Sequence, residues 1–244
     1  MGKSISTRKI TQGFRQLSER LLTALLPSSC LLCGAASGPL PLCQGCAADL
    51  PALPDPHCPL CLDRTTHGER CGACQMRPPH FDRVIALHAY AFPVDQLVHQ
   101  LKYAARLSLA RYWGAALGEK LAGETNPASH VMALPLHPGR LAERGYNQSL
   151  EIARQLARRL DIRLDGHSLV KTQATRPQAE LPLKERQHNL RGVFACVTDL
   201  QGAQVLLVDD VLTTGATLDE AARVLKLHGA AQVSACVVAR TLRH

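Results

Sequence analysis

Two adjacent carboxylates behind an apolar run are the first residues in the chain that could do chemistry. Asp209 and Asp210 follow Val205–Val208, and the hydroxyl-rich segment Thr213–Thr217 comes next with one glycine. Parallel sheets bind ligands at the carboxyl ends of their strands, where such residues lie. Paired carboxylates suit the oxygens of a sugar diol or a hydrated Mg2+, and backbone amides at a helix start suit a phosphate. The segment therefore predicts a site for a phosphoribosyl group.

Eight of the ten cysteines form a second chemical motif. They make two copies of the pattern C-x2-C-x9-C-x2-C, and the second copy lies 28 residues after the first. A C-x2-C turn presents two thiolates on one knuckle, and two knuckles close a tetrahedron around Zn2+. Closed four-sulfur sites leave no open position for catalysis, so the predicted metal is structural. The predicted ligands of two zinc ions are Cys30, Cys33, Cys43, Cys46, Cys58, Cys61, Cys71 and Cys74.

The repeat also bears on how the cysteines are paired. Each copy holds a complete set of four thiols, which favours one ion for each copy. An interleaved arrangement, in which the first pair joins the third and the second joins the fourth, is the alternative that the spacing leaves open.

Composition limits the class of protein. The chain has 244 residues, of which 46% are hydrophobic and 20% charged, and these values exclude wholesale disorder. No apolar run approaches the ~18 residues that a membrane span needs, so we expect no span. Without an export signal, paired cysteines favour a reducing compartment, and the predicted localisation is cytoplasmic. The net charge of +8 indicates an anionic partner.

Predicted strands and helices alternate along the rest of the chain, and they must position these residues. The pattern predicts an α/β fold with a doubly wound, mostly parallel sheet and a small N-terminal tandem zinc-ribbon module. The predicted strands are 84–87, 131–134, 205–208 and 233–239, and the predicted helices are 94–121 with a break near Leu107, 148–160 and 218–228. The predicted domains are a basic N-terminal helical segment over 1–29, the zinc-ribbon module over 30–77 and the α/β domain over 78–244.

The segment Val205–Thr217 resembles the phosphoribosyl pyrophosphate (PRPP) motif of type I phosphoribosyltransferases. Together with the cysteine repeat, it resembles the ComF family of competence and DNA-utilisation proteins, the ComFC/GntX group. The likeness runs from Cys30 to Arg240 and includes Pro78–Val84, Leu101–Tyr103, Pro135–Pro138, Arg140, Arg144–Gln148, Gln178, Arg186, Asn189 and Arg191. The resemblance implies a type I phosphoribosyltransferase-like domain behind a double zinc ribbon.

The resemblance also implies roles for matching residues. Asp209 and Asp210 would hold the ribose 2′- and 3′-hydroxyls and carry any catalysis. The residues that would wrap the 5′-phosphate are Thr213, Thr214, Gly215, Ala216 and Thr217.

Two basic segments correspond to the remaining parts of such a site. The loop from Leu136 to Arg140 stands where these enzymes bind pyrophosphate, so the resemblance implies that Arg140 and His137 meet its oxygens. The long basic loop from Lys171 to Arg191 resembles the hood that closes over PRPP. Its candidate contacts are Lys171, Arg186 and Arg191.

The implied function is that of a PRPP-binding, phosphoribosyltransferase-like protein that supports DNA uptake and utilisation or nucleotide reuse, with Mg2+ bound together with PRPP. The alternative is a non-catalytic, PRPP-sensing adaptor that binds single-stranded DNA. A vestigial domain beside a zinc-ribbon interaction module is a third interpretation, which the intact Asp209–Asp210 pair disfavours. The expected partners are PRPP, single-stranded DNA and proteins of the DNA-uptake machinery.

Overall fold

The computed structural model describes residues 28–123, 128–172 and 191–242. The chain separates into two compact units at the boundary between Leu50 and Pro51, and the two copies of the cysteine repeat therefore belong to different units. The predicted domain limits at 29/30 and 77/78 stay a prediction, and most of the predicted helical segment over 1–29 lies outside the described residues.

The first unit is organised around its cysteine knuckles. Strand β1 (Ser28–Ser29) pairs antiparallel with β2 (Ala36–Gly38), and helix α1 (Gln44–Ala48) follows. Between the two strands the amide of Gly34 donates to the carbonyl of Cys30 at 3.0 Å, with φ at +75°. Glycine adopts this left-handed conformation without a steric penalty, which allows the chain to turn directly behind the knuckle.

The second unit contains a five-stranded parallel sheet in the order β3-β9-β8-β4-β5 and a two-stranded antiparallel sheet of β6 and β7. Its strands are β3 (Arg83–Ala89), β4 (His130–Ala133), β5 (Arg163–Asp165), β6 (Leu169–Lys171), β7 (Phe194–Cys196), β8 (Gln204–Leu212) and β9 (Gln232–Arg240). Its helices are α2 (Gly72–Met76), α3 (Val94–Tyr103), α4 (Leu107–Leu121), α5 (Pro138–Arg144), α6 (Gln148–Leu160) and α7 (Ala216–Leu227). The predicted α/β class with a mostly parallel sheet is confirmed.

Three local predictions differ from the structure. Strand β8 continues through Asp209 and Asp210 to Leu212, because these residues pair with β9, whereas the apolar run predicted a strand end at Val208. The expected loop from Leu136 to Arg140 passes into helix α5, which begins at Pro138. The short strands β5, β6 and β7 were not predicted, since three residues are too few to show periodicity. No described helix is long and apolar enough to cross a membrane.

Helices α4 and α6 pack unusually close together at two glycines. A Cβ at Gly114 would lie 2.6 Å from the carbonyl oxygen of Ile152, and one at Gly118 would lie 2.5 Å from Cγ of Arg159. The two glycines are four residues apart, so they lie on the same face of α4. Their missing side chains therefore set the distance between the two helices.

We expect Gly114→Ala to lower the free energy of unfolding by about 1–3 kcal/mol, because the added methyl group forces the α6 backbone away. This cost exceeds the ~1 kcal/mol that alanine gains over glycine in helix propensity. Denaturant titration followed by fluorescence of Trp113, the only tryptophan in the chain, measures the change. The control is Gly72→Ala, where a Cβ meets nothing within 4 Å. Equal stabilities of the two variants would contradict the packing argument.

Candidate ligand and metal sites

Strand β8 places its two carboxylates beside a cavity of about 250 Å3. The hydroxyl of Ser149, in the first turn of α6, donates to Oδ1 of Asp209 at 2.9 Å, and the backbone amide of Asp210 donates to the same oxygen at 2.9 Å. On the other carboxylate, Nζ of Lys102 lies 3.0 Å from Oδ1 of Asp210. Lys102 comes from the last turn of α3, so two helices serve the acidic pair.

The second oxygen of Asp210 is the unusual atom of this site. Its side chain is only 6% exposed, and Oδ2 has no hydrogen-bond partner among the described residues. Buried polar atoms in folded proteins almost always have a partner, so an orphaned carboxylate oxygen needs an explanation. Asp210 lines the cavity, so a ligand bound there would lie next to its carboxylate.

Burial and neighbouring charges shift the pKa of Asp209 and that of Lys102 beside the pair. Burial, and then the neighbouring charge of Asp210, raise the pKa of Asp209 to about 7. Burial alone would lower the pKa of Lys102, but the charge and hydrogen bond of Asp210 outweigh it, and the pKa is raised. The lysine is therefore charged at neutral pH and offsets one of the two carboxylates.

Thr213, Thr214 and Gly215 connect β8 to α7, and Ala216 and Thr217 are the first residues of the helix. Gly215 is the N-cap of α7 with φ at +84°, a conformation that only glycine adopts readily. The amide of Ala216 donates to the hydroxyl of Thr214 at 3.4 Å. The positive end of a twelve-residue helix thus lies directly behind a turn of small hydroxyl residues, an arrangement that suits an anion.

Of the predicted basic contacts, Lys171 lies within electrostatic reach of the acidic pair, and Arg140 lies near Lys171. Burial lowers the pKa of Lys171, at the end of β6, and the nearby charges of Asp209 and Arg140 also act on it, in opposite directions. Nζ of Lys171 also lies 5.8 Å from the ring centroid of Phe194. Lys171 is consequently the predicted basic contact that interacts with Asp209, and Arg140 acts on Lys171.

The other predicted basic contacts have different surroundings. His137 is the N-cap of α5, and its Nδ1 accepts from the amide of Gly139 at 3.2 Å, so the ring serves the helix start. Arg191 lines a different cavity. There the hydrogen bond from Arg223 is the main cause that lowers the pKa of Glu220, and the charge of Arg191 lowers it further. Arg186 lies outside the described residues, as does the rest of the hood segment over 173–190.

The cysteines group by copy, as the sequential pairing predicts. In each copy, the four sulfur atoms lie within 4.8 Å of one another. Sγ of Cys33 lies 3.7 Å from Sγ of Cys43, and the equivalent pair Cys61 and Cys71 is 3.6 Å apart. Zn–S bonds of ~2.3 Å in a tetrahedron separate sulfur atoms by about 3.8 Å, so both donor sets fit zinc. The two groups are Cys30, Cys33, Cys43 and Cys46, and Cys58, Cys61, Cys71 and Cys74.

The thiols of the first cluster differ in pKa, and a bound cation would change their protonation. Burial opposes ionisation of Cys30, but backbone hydrogen bonds from Cys33 and Cys43 outweigh it and lower its pKa to about 6. Hydrogen bonds with the thiols of Cys33 and Cys43 raise the pKa of Cys46 to about 12. Four crowded thiols thus share their protons unequally, and Zn2+ would favour the thiolate form of all four.

Sequence reasoning missed Lys102 and Ser149 as members of the site. Ser149 carries a weak signal, since it opens a helix that follows strand β4, and this places it near the ligand-binding edge of the sheet. Lys102 carries none beyond the resemblance, because its contact with Asp210 joins positions 108 residues apart in the chain.

Two family models match separate parts of the chain. Residues 147–243 match the phosphoribosyl transferase domain, and residues 21–75 match the double zinc ribbon domain. The latter match and the two four-cysteine clusters together support structural zinc.

Two curated relatives match most of the chain. DNA utilization protein YhgH of Escherichia coli K12 is 34% identical over 192 residues, which cover 76% of this chain and 84% of that protein. Competence protein F of Haemophilus influenzae is 28% identical over 208 residues, which cover 82% and 90%. Among solved structures, a purine phosphoribosyltransferase from Pyrococcus horikoshii is 20% identical, with a TM-score of 0.34 over 65% of this chain and 88% of that one.

The raised pKa of Asp209 predicts how stability depends on pH. Between its ordinary value of 3.8 and about 7, the folded protein retains a proton that the unfolded chain has lost. The free energy of unfolding therefore falls as pH rises through this window and levels off above it. We expect wild type to lose on the order of 1–3 kcal/mol more than Asp209→Asn between pH 5 and pH 8, measured by denaturant titration.

The substituted amide side chain keeps an oxygen that can accept from Ser149, and both cysteine clusters are unchanged in the variant. Their own pH dependence therefore cancels in the difference. Parallel stability curves for the two proteins would contradict the assigned protonation of Asp209.

Proposed function

The chain belongs to the ComF family, which includes DNA utilization protein YhgH and competence protein F, and from that premise we propose that the cavity beside Asp209 and Asp210 binds PRPP. The proposal includes a supporting role in DNA utilisation or nucleotide reuse, in the reducing cytoplasm where free cysteine clusters retain zinc.

The observation that carries the proposal is the orphaned Oδ2 of Asp210. A carboxylate that is buried, half-neutralised by Lys102 and still short of one donor favours a neutral hydroxyl over a second anion. A vicinal diol supplies two such donors, one for each of the adjacent carboxylates. The Thr213–Thr217 turn at the start of α7 would take a phosphate at the other end of the same ligand.

Each group then has a separate task. Ser149 holds Oδ1 of Asp209, so that the second oxygen of Asp209 can accept from the ligand. Lys102 keeps the carboxylate of Asp210 in place. Lys171 and Arg140 add positive charge on the side of the cavity where pyrophosphate would lie.

The reaction class that fits these groups is phosphoribosyl transfer. The carboxylates would favour the positive charge that develops at C1 of the ribose, while the basic residues would stabilise the departing pyrophosphate. Mg2+ bound with PRPP would neutralise part of the pyrophosphate charge. In this proposal the acidic residues of the cavity bind the ribose. The basic residues and Mg2+ stabilise the departing pyrophosphate.

Calorimetry with PRPP and Mg2+ tests the site directly. We expect Asp210→Asn to weaken binding about 10- to 100-fold, because a hydrogen bond to a charged carboxylate contributes ~1.5–3 kcal/mol. The matched control is Asp199→Asn, in an exposed turn before β8, which should bind like wild type. Absence of binding by wild type, or equal loss in both variants, would refute the proposed site.

Pyrophosphate release separates a transferase from a sensor. The protein is incubated with PRPP, Mg2+ and each member of a panel of nucleobases, and pyrophosphate is measured over time. Release that depends on one base identifies transfer and its acceptor. Binding of PRPP without release for any base favours the PRPP-sensing adaptor.

Single-stranded DNA binding is a second candidate function, and one exposed cluster favours it. The ring of Tyr103 is 65% exposed, the guanidinium of Arg144 lies 5.4 Å from its centroid, and the ring of His99 lies at 4.5 Å. An exposed aromatic ring beside a cation suits base stacking together with phosphate contact.

We expect Tyr103→Ala to weaken binding of a single-stranded oligonucleotide by about 5- to 100-fold, since stacking contributes ~1–3 kcal/mol for each base. Fluorescence anisotropy at several salt concentrations measures both affinity and its salt dependence. Phe92→Ala, at an exposed aromatic outside this cluster, is the control. Equal affinities of the two variants, or binding that salt does not weaken, would count against this surface.

A further inference from the structure

The most deeply buried cation of the described chain lies at the end of strand β9. Arg240 is 1% exposed, and its guanidinium contacts parts of the molecule that are far apart in sequence. Its Nε donates to the carbonyl of Cys61 at 2.8 Å. Its Nη1 donates to the carbonyls of Leu212, at 3.3 Å, and Thr213. Its Nη2 lies 3.8 Å from the carboxylate of Asp63.

These contacts join two sites that the sequence keeps separate. Cys61 and Asp63 belong to a knuckle of the second cysteine cluster, whereas Leu212 and Thr213 begin the turn that leads to α7. A guanidinium presents its donors in one rigid plane, so a single side chain can fix the relative positions of several carbonyls. Arg240 therefore holds the turn at a set distance from the cysteine knuckle.

Cavities border the turn on two sides. Leu212 and Gly215 line the 250 Å3 cavity beside the carboxylates, and they also line a cavity of about 260 Å3 that Cys61 and Cys74 border. Side chains next to a void make fewer dispersion contacts than those in a filled core. Directed hydrogen bonds from Arg240 thus act together with the buried side chain of Leu212 in setting the path of the turn.

The knuckle itself holds its backbone in a costly conformation. Leu62, between the two residues that contact Arg240, has φ at +60°, in the left-handed region that non-glycine residues avoid. It is held there by its amide, which donates to the carbonyl of Cys58 at 2.9 Å, and by the amide of Cys58, which donates to the carbonyl of Asp63 at 2.8 Å. Such strain persists only where the surrounding structure imposes it. The side chain of Leu62 belongs to the hydrophobic core of the second unit, and its backbone is bonded to Cys58 of the second cysteine cluster.

We propose that Arg240 is a positioning residue for the anion-binding turn, and that the second cysteine cluster, through Arg240, forms part of the framework of the ligand site. The metal of this cluster would keep the Cys61 carbonyl where Arg240 needs it. The consequence for PRPP affinity rests on the function proposed above, whereas the consequence for the turn itself does not.

The repeat provides matched variants for the test. Arg240→Lys keeps the positive charge but cannot bond the carbonyls of Cys61 and Thr213 with one planar group. Cys58→Ser removes a ligand from the second cluster, and Cys30→Ser removes the equivalent ligand from the first cluster, which belongs to the other compact unit. Zinc content of each purified full-length protein verifies which cluster has been altered.

Two readouts are measured on the same samples. Hydrogen exchange reports the amides of residues 212–217 against those of the core strands, and calorimetry reports the affinity for PRPP with Mg2+. We expect Arg240→Lys and Cys58→Ser to accelerate exchange of 212–217 at least about tenfold and to weaken PRPP binding by a similar factor. We expect Cys30→Ser to change neither. Exchange that rises equally throughout the sheet would indicate loss of general stability and would overturn the positioning role.

Each remaining outcome is also decisive. If Arg240→Lys retains both zinc ions and leaves exchange and affinity unchanged, the inference is wrong. If Cys30→Ser and Cys58→Ser have equal effects on residues 212–217, the specific link to the second cluster is wrong. If wild type does not bind PRPP but exchange of 212–217 still responds to Arg240→Lys and Cys58→Ser, the proposed function fails and the positioning role stands.

Discussion

Two carboxylates next to each other in a buried strand repel each other and lose hydration, and much of the second unit is arranged around that cost. Asp209 receives a hydroxyl from Ser149, and Asp210 receives the ammonium of Lys102. The compensation is incomplete, because one oxygen of Asp210 has no partner among the described residues. Such an unpartnered buried oxygen is rare in folded proteins, and the ligand proposed for the acidic pair would supply the missing donor.

The compensating groups reach the pair only because the helices that carry them are fixed. Ser149 opens α6, and the depth of α6 against α4 is set by the absent side chains of Gly114 and Gly118. The turn after the pair is fixed from another direction by the guanidinium of Arg240. Precise placement of two carboxylates and one turn thus depends on packing and hydrogen bonds well outside the cavity.

The parts of the site that could be predicted from the sequence are those whose chemistry is local. Eight thiols at fixed spacing and the Asp209–Asp210 pair before Thr213–Thr217 form short motifs, and the structure places each motif as a unit. Strong helix periodicity also predicted the break between α3 and α4. Lys102 and Arg240 could not be found in this way, because each acts through contacts that only the folded chain creates. The strands of three residues could not be predicted for a different reason. They are defined by backbone pairing with a neighbouring strand and are too short to show a hydrophobic pattern.

The position of β9 in the sheet has a consequence for the order in which the protein assembles during translation. Residues 232–240 leave the ribosome after all the other strands of the parallel sheet, yet β9 lies between β3 and β8. The edge strand β3 cannot join the sheet until β9 has paired with β8, and the guanidinium that bonds the turn after β8 arrives with the same segment. Nascent chains must therefore keep two apolar strand edges unpaired until the end of this domain has been synthesised. During that interval they are exposed to misassembly and available to chaperones.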